Sequence, residues 1–424
     1  MASPREVVVT GLGLASPLGL TRETFWQSLI DRRSGIFPLT RFNREPFPVR
    51  MGGQVRDFDA KLYVTPRKSL KVMSREIQLG FAAAQLALED ARLAAGAVDA
   101  DRFGVVFGAD MMYSEGAEVD AAFLRCLVDG KFDFSLWGEA GMQEIYPLWL
   151  LKYLPNMPAC HVAIAHDARG PNNSILLGEA SSLLAMSEGM RTIEMDRADL
   201  MIVGGTSCPT HARNWVFRDP AQFSRRYEEP DRAVRPFDAD RDGEVLGEGA
   251  GAIVLESRGH AAARGARPLA RLVSYASTFG CPCSGAPNVD AIRNAIRLAL
   301  DKPGIAASEI DHVNANGSGA RAGDRAEAQA IADLLGDVPV TAPKSFFGNL
   351  MAATGTLEAA VSLLAFQHGL IPVTLNHERP DPECPVNVVV GEPRPSTRPY
   401  ALLLNQSPTG QCVAVVLGRE PTTS

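Results

Sequence analysis

Gly11-Leu-Gly13 follows a short apolar run, the order of a dinucleotide-binding turn. Such a turn needs a third glycine so that a helix N-terminus can close on the phosphates. Ser16 stands there with Pro17 behind it, so nucleotide binding is set aside. Asp238-Ala-Asp240-Arg-Asp242-Gly243 opens like a calcium loop, with carboxylates at alternate positions. The twelfth place, which must bring a bidentate glutamate, holds Gly249, and the next segment reads as a strand. These aspartates are expected to cap turns. Cys281-Pro-Cys283 lacks the second cysteine or histidine pair of a zinc site, so no metal is expected. The 7 cysteines form no framework and read as reduced thiols.

The elements that must position any site follow an α/β rhythm. Strands are expected at Glu6–Thr10, Phe103–Phe107, Leu200–Val203, Ala252–Glu256, His312–Asn314 and Val413–Leu417. Helices are expected at Thr21–Ile30, Ser74–Ala91, Asn288–Leu300, Arg325–Leu335 and Thr356–Gln367. A strand, tight turn and helix occur in both halves, at Gly178–Glu179 and again at Asn316–Gly317, which suggests a duplicated unit. The aromatic stretch Tyr113 to Tyr153 reads as a cap or dimer contact. With 46% hydrophobic and 21% charged residues, the 424-residue chain has material for a large core. A net charge of −7 argues against nucleic acid as partner. No apolar run has the length of a membrane span and no signal peptide is visible, so a cytoplasmic location is expected.

Several stretches, in order, resemble the β-ketoacyl synthases of fatty-acid and polyketide assembly. They are Val8-Val-Thr-Gly-Leu-Gly13 with Arg33-Ser-Gly-Ile36, Ala168-Arg-Gly-Pro171, and Ala198-Asp-Leu-Met-Ile-Val-Gly-Gly205. The run Arg235 to Gly251, Val313-Asn-Ala-Asn-Gly317 with Gly323-Asp-Arg-Ala-Glu327, and Lys344-Ser-Phe-Phe-Gly348 with Gly355-Thr-Leu-Glu358 complete the set. The resemblance spans nearly the whole chain. It implies an α/β, thiolase-like, five-layered αβαβα fold built from two similar halves, here 1–255 and 256–424, and a two-fold dimer.

In that family a cysteine on a strand-to-helix elbow takes the acyl chain as a thioester, and two histidines assist decarboxylation of the malonyl extender. By position, the cysteine slot falls on Glu179, beside Gly178. The histidine slots fall on Asn316 and Asn349. The glycine-rich C-terminal loop, which in the family carries a gate and an oxyanion N–H, here places Thr409 at the gate and Gly410 after it. Lys344 and Glu358, both family features near the pocket, are kept.

A carboxylate is a weak nucleophile and its acyl anhydride is hydrolytically fragile. A negative charge there repels both the malonyl carboxylate and the enolate. Asparagine does not titrate near neutral pH, so it cannot shuttle a proton as histidine does. Condensation by this chain alone is not expected. Glu179 is expected to pair with Lys344 and close the pocket. As plainer roles, Glu179 suits a helix N-terminus and the two asparagines suit turns. His312 reads as a packed strand residue, and His161 and His166 lack a visible partner.

Some relatives of this kind, the chain-length factors, lack the cysteine and pair with an active ketosynthase. They commonly hold glutamine at the elbow, so glutamate departs from their pattern. The resemblance therefore implies a heterodimer with an active ketosynthase, or a homodimer, and acyl groups delivered on the phosphopantetheine arm of an acyl carrier protein, with no cofactor of its own. Arg67, Lys68, Lys71 and Arg75, spaced at roughly 0°, 100°, 40° and 80° on a helix, are the expected carrier-docking stripe. The alternative is an enzyme using Glu179 as general base for dehydration, isomerisation or hydrolysis. A homodimeric acyl-binding protein without turnover is a third reading.

Overall fold

The computed structural model describes residues 5–41, 47, 49–93, 96–211, 214–215, 218–282 and 287–421. Cys283 lies outside them. The long apolar runs form buried strands, while Asn172–Ile175 is polar and partly exposed and Ala270–Phe279 is buried only at alternate positions. β1 (Val7–Ala15), β2 (Phe103–Gly108), β3 (Asn172–Ile175), β4 (Leu200–Ser207) and β5 (Gly249–Ser257) make one half of an eleven-stranded sheet, in the order β3-β2-β4-β5-β1. β6 (Ala270–Phe279), β7 (Ile310–Asn314), β8 (Pro339–Thr341), β9 (Asn387–Val388), β10 (Tyr400–Gln406) and β11 (Gln411–Arg419) make the other, in the order β9-β8-β7-β10-β11-β6. In both halves the same plan recurs: β2 and β7 are each parallel to two neighbours, and β4 and β10 then pair antiparallel with β5 and β11. The halves join edge to edge where Val7–Val9 lie opposite Leu272–Ala270.

Helices complete five layers. α1 (Arg75–Asp90) and α2 (Met157–His166) cover the outer face of the first half, packing Ile77, Phe81 and Val162 on Val105, Ile202 and Val254. α3 (Ser181–Glu194) and α4 (Thr354–His368) lie between the halves: Leu183, Met186, Leu357 and Val361 share one core with Val203 and Leu255 on one side and Leu403 and Val415 on the other. That position explains α4, buried all round from Thr354 to Phe366 and therefore without a polar face. Val289–Asp301 and Arg321–Leu335 cover the second half. The first of these buries Ile292, Ala295, Ile296 and Ala299, an apolar stripe at helical spacing.

This is the thiolase-like layering that the resemblance implied, and every expected strand and helix is present. β1 runs on to Ala15, past the expected Thr10, because Gly11 and Gly13 lie under α1. A Cβ at Gly13 would stand 2.0 Å from the Ala83 carbonyl oxygen, so these glycines serve close helix packing. Of the aspartates of 238–242, Asp238 caps its turn: it accepts from the N–H groups of Asp240, Glu378 and Arg379.

The internal pairing of turns is corrected. By strand order β3 corresponds to β8, so the turn at Gly178–Glu179 matches the one after β8, which carries Asn349. The turn at Asn316–Gly317 follows β7 and matches Ala109–Asp110 after β2. All of these turns share one local rhythm, and only sheet order separates them. The stretch 113–153 holds the helix Gly116–Arg125, a small hairpin and short helical turns, with Phe123, Phe132 and Trp137 in a cluster. Leu124 and Phe134 remain 67% and 77% exposed.

Candidate functional site

Glu179 sits where β3 passes into α3. Gly178, at φ +57°, makes the left-handed step that a side chain would strain, and the Ser181 hydroxyl accepts from the Leu177 N–H at 2.8 Å. Glu179 is 4% exposed. One of its oxygens accepts from the Asn349 amide at 2.8 Å; the other is buried without a partner. The same Asn349 amide also donates to Glu244 at 3.1 Å, while its carbonyl oxygen accepts from the Met351 N–H at 2.9 Å. Asn349 thus bridges two carboxyl groups.

Asn316 belongs to a second cluster. Lys344, fully buried, donates to the Asn316 backbone and side-chain oxygens at 2.6 and 2.9 Å and to Glu358 at 2.8 Å. Asn405 donates to the other oxygen of Glu358 at 2.6 Å. Burial pushes Glu358 up to about 7, against the pull of Lys344 and Asn405. Glu327 accepts from the backbone N–H groups of Asn316 and Gly317, both at 2.8 Å, and so fixes the turn. The expected pair of Glu179 with Lys344 is not formed. Among the described residues no ion pair joins them, because Lys344 lies across the Asn316 turn from Glu358 and is saturated there.

Nor is the pocket closed. Gly178 and Glu179 line a cavity of about 680 Å³, with Asp110, Ser407, Thr409, Met73, Met112, Leu177 and Met351 among its walls. Thr409, at the gate position, turns back on its own loop: its N–H and hydroxyl both meet the Ser407 hydroxyl, at 3.3 and 2.8 Å. Gly410 (φ +104°) passes so close to Gly280 that a Cβ would stand 2.3 Å from its carbonyl oxygen.

The structure adds three carboxyl groups that sequence reasoning missed. Burial pushes Asp110 up to about 6, although the Ser207 hydroxyl donates to it; the Glu179 charge adds to the rise and Arg218 opposes it. Burial and then the Glu179 charge raise Glu244. Burial and then the Asp110 charge hold Glu76 well above the usual carboxylate range. Two signals were available. Asp110 follows the C-terminal end of a buried strand, where α/β sites form, and Glu244 is an acid inside the run Arg235–Gly251.

The basic stripe is divided. Arg67, Lys68 and Lys71 are exposed on a 3₁₀ turn, Arg67–Val72, where Lys68 and Lys71 share a side and Arg67 lies roughly 120° away. Arg75 leaves the stripe: it grips the buried Glu248 at 2.6 Å and the Val55 carbonyl at 2.7 Å. His312 is a core residue, held between Asp311 (2.9 Å) and Ser362 (3.0 Å). Among the described residues no three His, Cys, Asp or Glu side chains could hold a metal ion, and no helix is long and apolar enough to cross a membrane.

Residues 4–261 match the β-ketoacyl synthase N-terminal domain and residues 269–378 its C-terminal domain. The chain is 34% identical over 397 residues, 92% of each chain, to a 3-oxoacyl-[acyl-carrier-protein] synthase 2 of Synechocystis sp.. Its fold is similar to that of the ishigamide ketosynthase/chain length factor, with a TM-score of 0.85 and 30% identity over 99% of this chain and 100% of that one. It is also similar to a type II polyketide ketosynthase, bound to a hexaketide, in complex with its acyl-carrier protein (TM-score 0.83, 28% identity, 99% of this chain and 100% of that one).

Proposed function

The chain belongs to the β-ketoacyl synthase family, and from that premise we propose that it is a subunit of a type II fatty-acid or polyketide system that does not condense by itself and partners an active ketosynthase, as a chain-length factor does. One observation carries this reading. Glu179 at the elbow is tied to Asn349, while the Asn316 side-chain oxygen accepts from Lys344, so neither a thiolate nor an imidazole stands at the three positions. Without a thiolate the acyl chain has no stable covalent seat. Without an imidazole, neither Asn316 nor Asn349 moves a proton at neutral pH.

Support for a partner comes from the sheet. β3 is an edge strand with no neighbour on its far side among the described residues, and Phe134, Leu124 and Ile164 leave large apolar side chains in solvent. Arg67, Lys68 and Lys71 are the side chains we assign to the acidic carrier protein, whose phosphopantetheine arm would bring the acyl group. The test is co-expression with an active ketosynthase, followed by size analysis and a condensation assay on malonyl-carrier protein. A heterodimer that makes product only as a pair is expected. Carbon–carbon bond formation, or a covalent acyl adduct, on this chain alone would overturn the reading.

A second reading, catalysis by Glu179 as general base in dehydration, isomerisation or hydrolysis, is favoured by its place on the wall of an open cavity with one oxygen unpartnered. Glu179→Ala separates the two. Unchanged product length in the paired complex supports the subunit role; lost turnover supports the base.

A further inference from the structure

The hydrogen bonds around Glu179 are unevenly filled. The Asn349 amide is engaged by two carboxyl groups, and the Thr409 N–H is turned onto Ser407. A carbonyl or carboxylate oxygen reaching Glu179 therefore meets an acceptor and finds these neighbouring donors occupied. An N–H meets Glu179, a cavity-lining side chain whose second oxygen is buried and without a partner. A buried carboxylate oxygen left in that state costs stability until a donor reaches it. Three further carboxyl groups, Asp110, Glu244 and Glu76, crowd the same region, and each would gain from a positive charge. The cavity walls carry Met73, Met112, Leu177 and Met351, which suit an aliphatic body.

We propose that this cavity takes a chain-like ligand whose end at Glu179 is a protonated amine. The inference rests on the cavity assigned above and names the class of ligand it holds. Arg218 is the counter-argument built into the wall: its charge acts on Asp110, and its Nε has no partner, so a ligand carboxylate would seek it. The experiment therefore includes that class.

Titration calorimetry on the full chain at pH 7 compares octylamine, 1-octanol and octanoate. The amine is cationic there, as lysine is with its pKa of ~10.4. Octylammonium is expected to bind about tenfold or more tighter than either rival, the worth of one charge-assisted hydrogen bond. Glu179→Gln keeps an acceptor for Asn349 and is expected to abolish the preference without lowering the melting temperature. Tighter or equal binding of octanoate or octanol, or an amine preference that survives in Glu179→Gln, overturns the proposal. If that variant fails to fold, the ranking of the three probes on the unaltered chain decides. Failure here leaves the subunit role standing, since that is read by complex formation and condensation.

Discussion

Replacing Asn349 with alanine tests the bridge on which the elbow rests. Its amide is a donor shared by Glu179 and Glu244, at 2.8 and 3.1 Å. A hydrogen bond to a charged group contributes about 1.5–3 kcal/mol, and loss of both leaves two carboxyl groups facing each other in a site already short of donors. The Glu244 bond is the longer one, and Ser318 also serves that carboxyl, so about 3 kcal/mol is the expected loss at pH 8. For a chain of this length that corresponds to a fall in melting temperature of about 3–6 °C. The sign with pH is fixed. Asn349 lowers the pKa of Glu244, so the variant raises it further above the unfolded value of 4.5. A group raised in the folded state contributes stability that is complete below the unfolded pKa and is lost as pH rises through the folded one. The gap between variant and parent must then widen from pH 5 to pH 8. Thermal unfolding at both values is the assay, with Glu179→Gln in the Asn349→Ala background recovering part of the loss by removing one of two like charges. No loss at pH 8, or the same loss at both values, would refute the bridge.

Lys344→Met leaves Glu358 and the Asn316 oxygens buried without their cation and is expected to cost about 3–5 kcal/mol, more at pH 8 than at pH 5, by thermal unfolding. Asp110→Asn should stabilise at pH 8: the folded pKa of about 6 stands above the ordinary aspartate value of 3.8, so the parent loses stability as pH rises through that window and the amide does not. The carboxyl opens on the cavity, so solvent reduces the gain to about 1–2 kcal/mol, again by melting. Arg67→Glu with Lys71→Glu should weaken carrier-protein association about tenfold at low salt and little at high salt, measured by titration. Arg75→Glu should instead lower the melting temperature, because it sets a second carboxylate against Glu248.

The layers were legible because burial writes itself into spacing. The stripe Ile292, Ala295, Ile296, Ala299 and the unbroken apolar runs of β2 and β4 could face only a core. The replaced positions were legible because Glu179, Asn316 and Asn349 lie in otherwise ordinary motifs. Partners were not legible. Lys344 lies 14 residues from Glu358, its actual counterion, and the two meet only because α4 returns through the central layer. Arg75 has the spacing of a docking stripe, yet Glu248, on a distant segment, claims it. Spacing along one element gives the direction of a side chain, whereas its ion pair depends on which element folds over it.

A site that had only lost its chemistry would be most stable filled with apolar side chains, since a buried ion pair or carboxylate rarely repays its desolvation. This elbow has gone the other way. It keeps an open cavity of about 680 Å³, places a carboxylate with one free oxygen on its wall, and surrounds it with three more acids whose proton affinities burial has raised. Each of those features costs folding free energy, and Asn349 offsets only part of it. Costs of this kind persist where a ligand or a partner recovers them. The acidic wall therefore argues for a site in use, and for a use that such a wall favours rather than the decarboxylation that negative charge opposes.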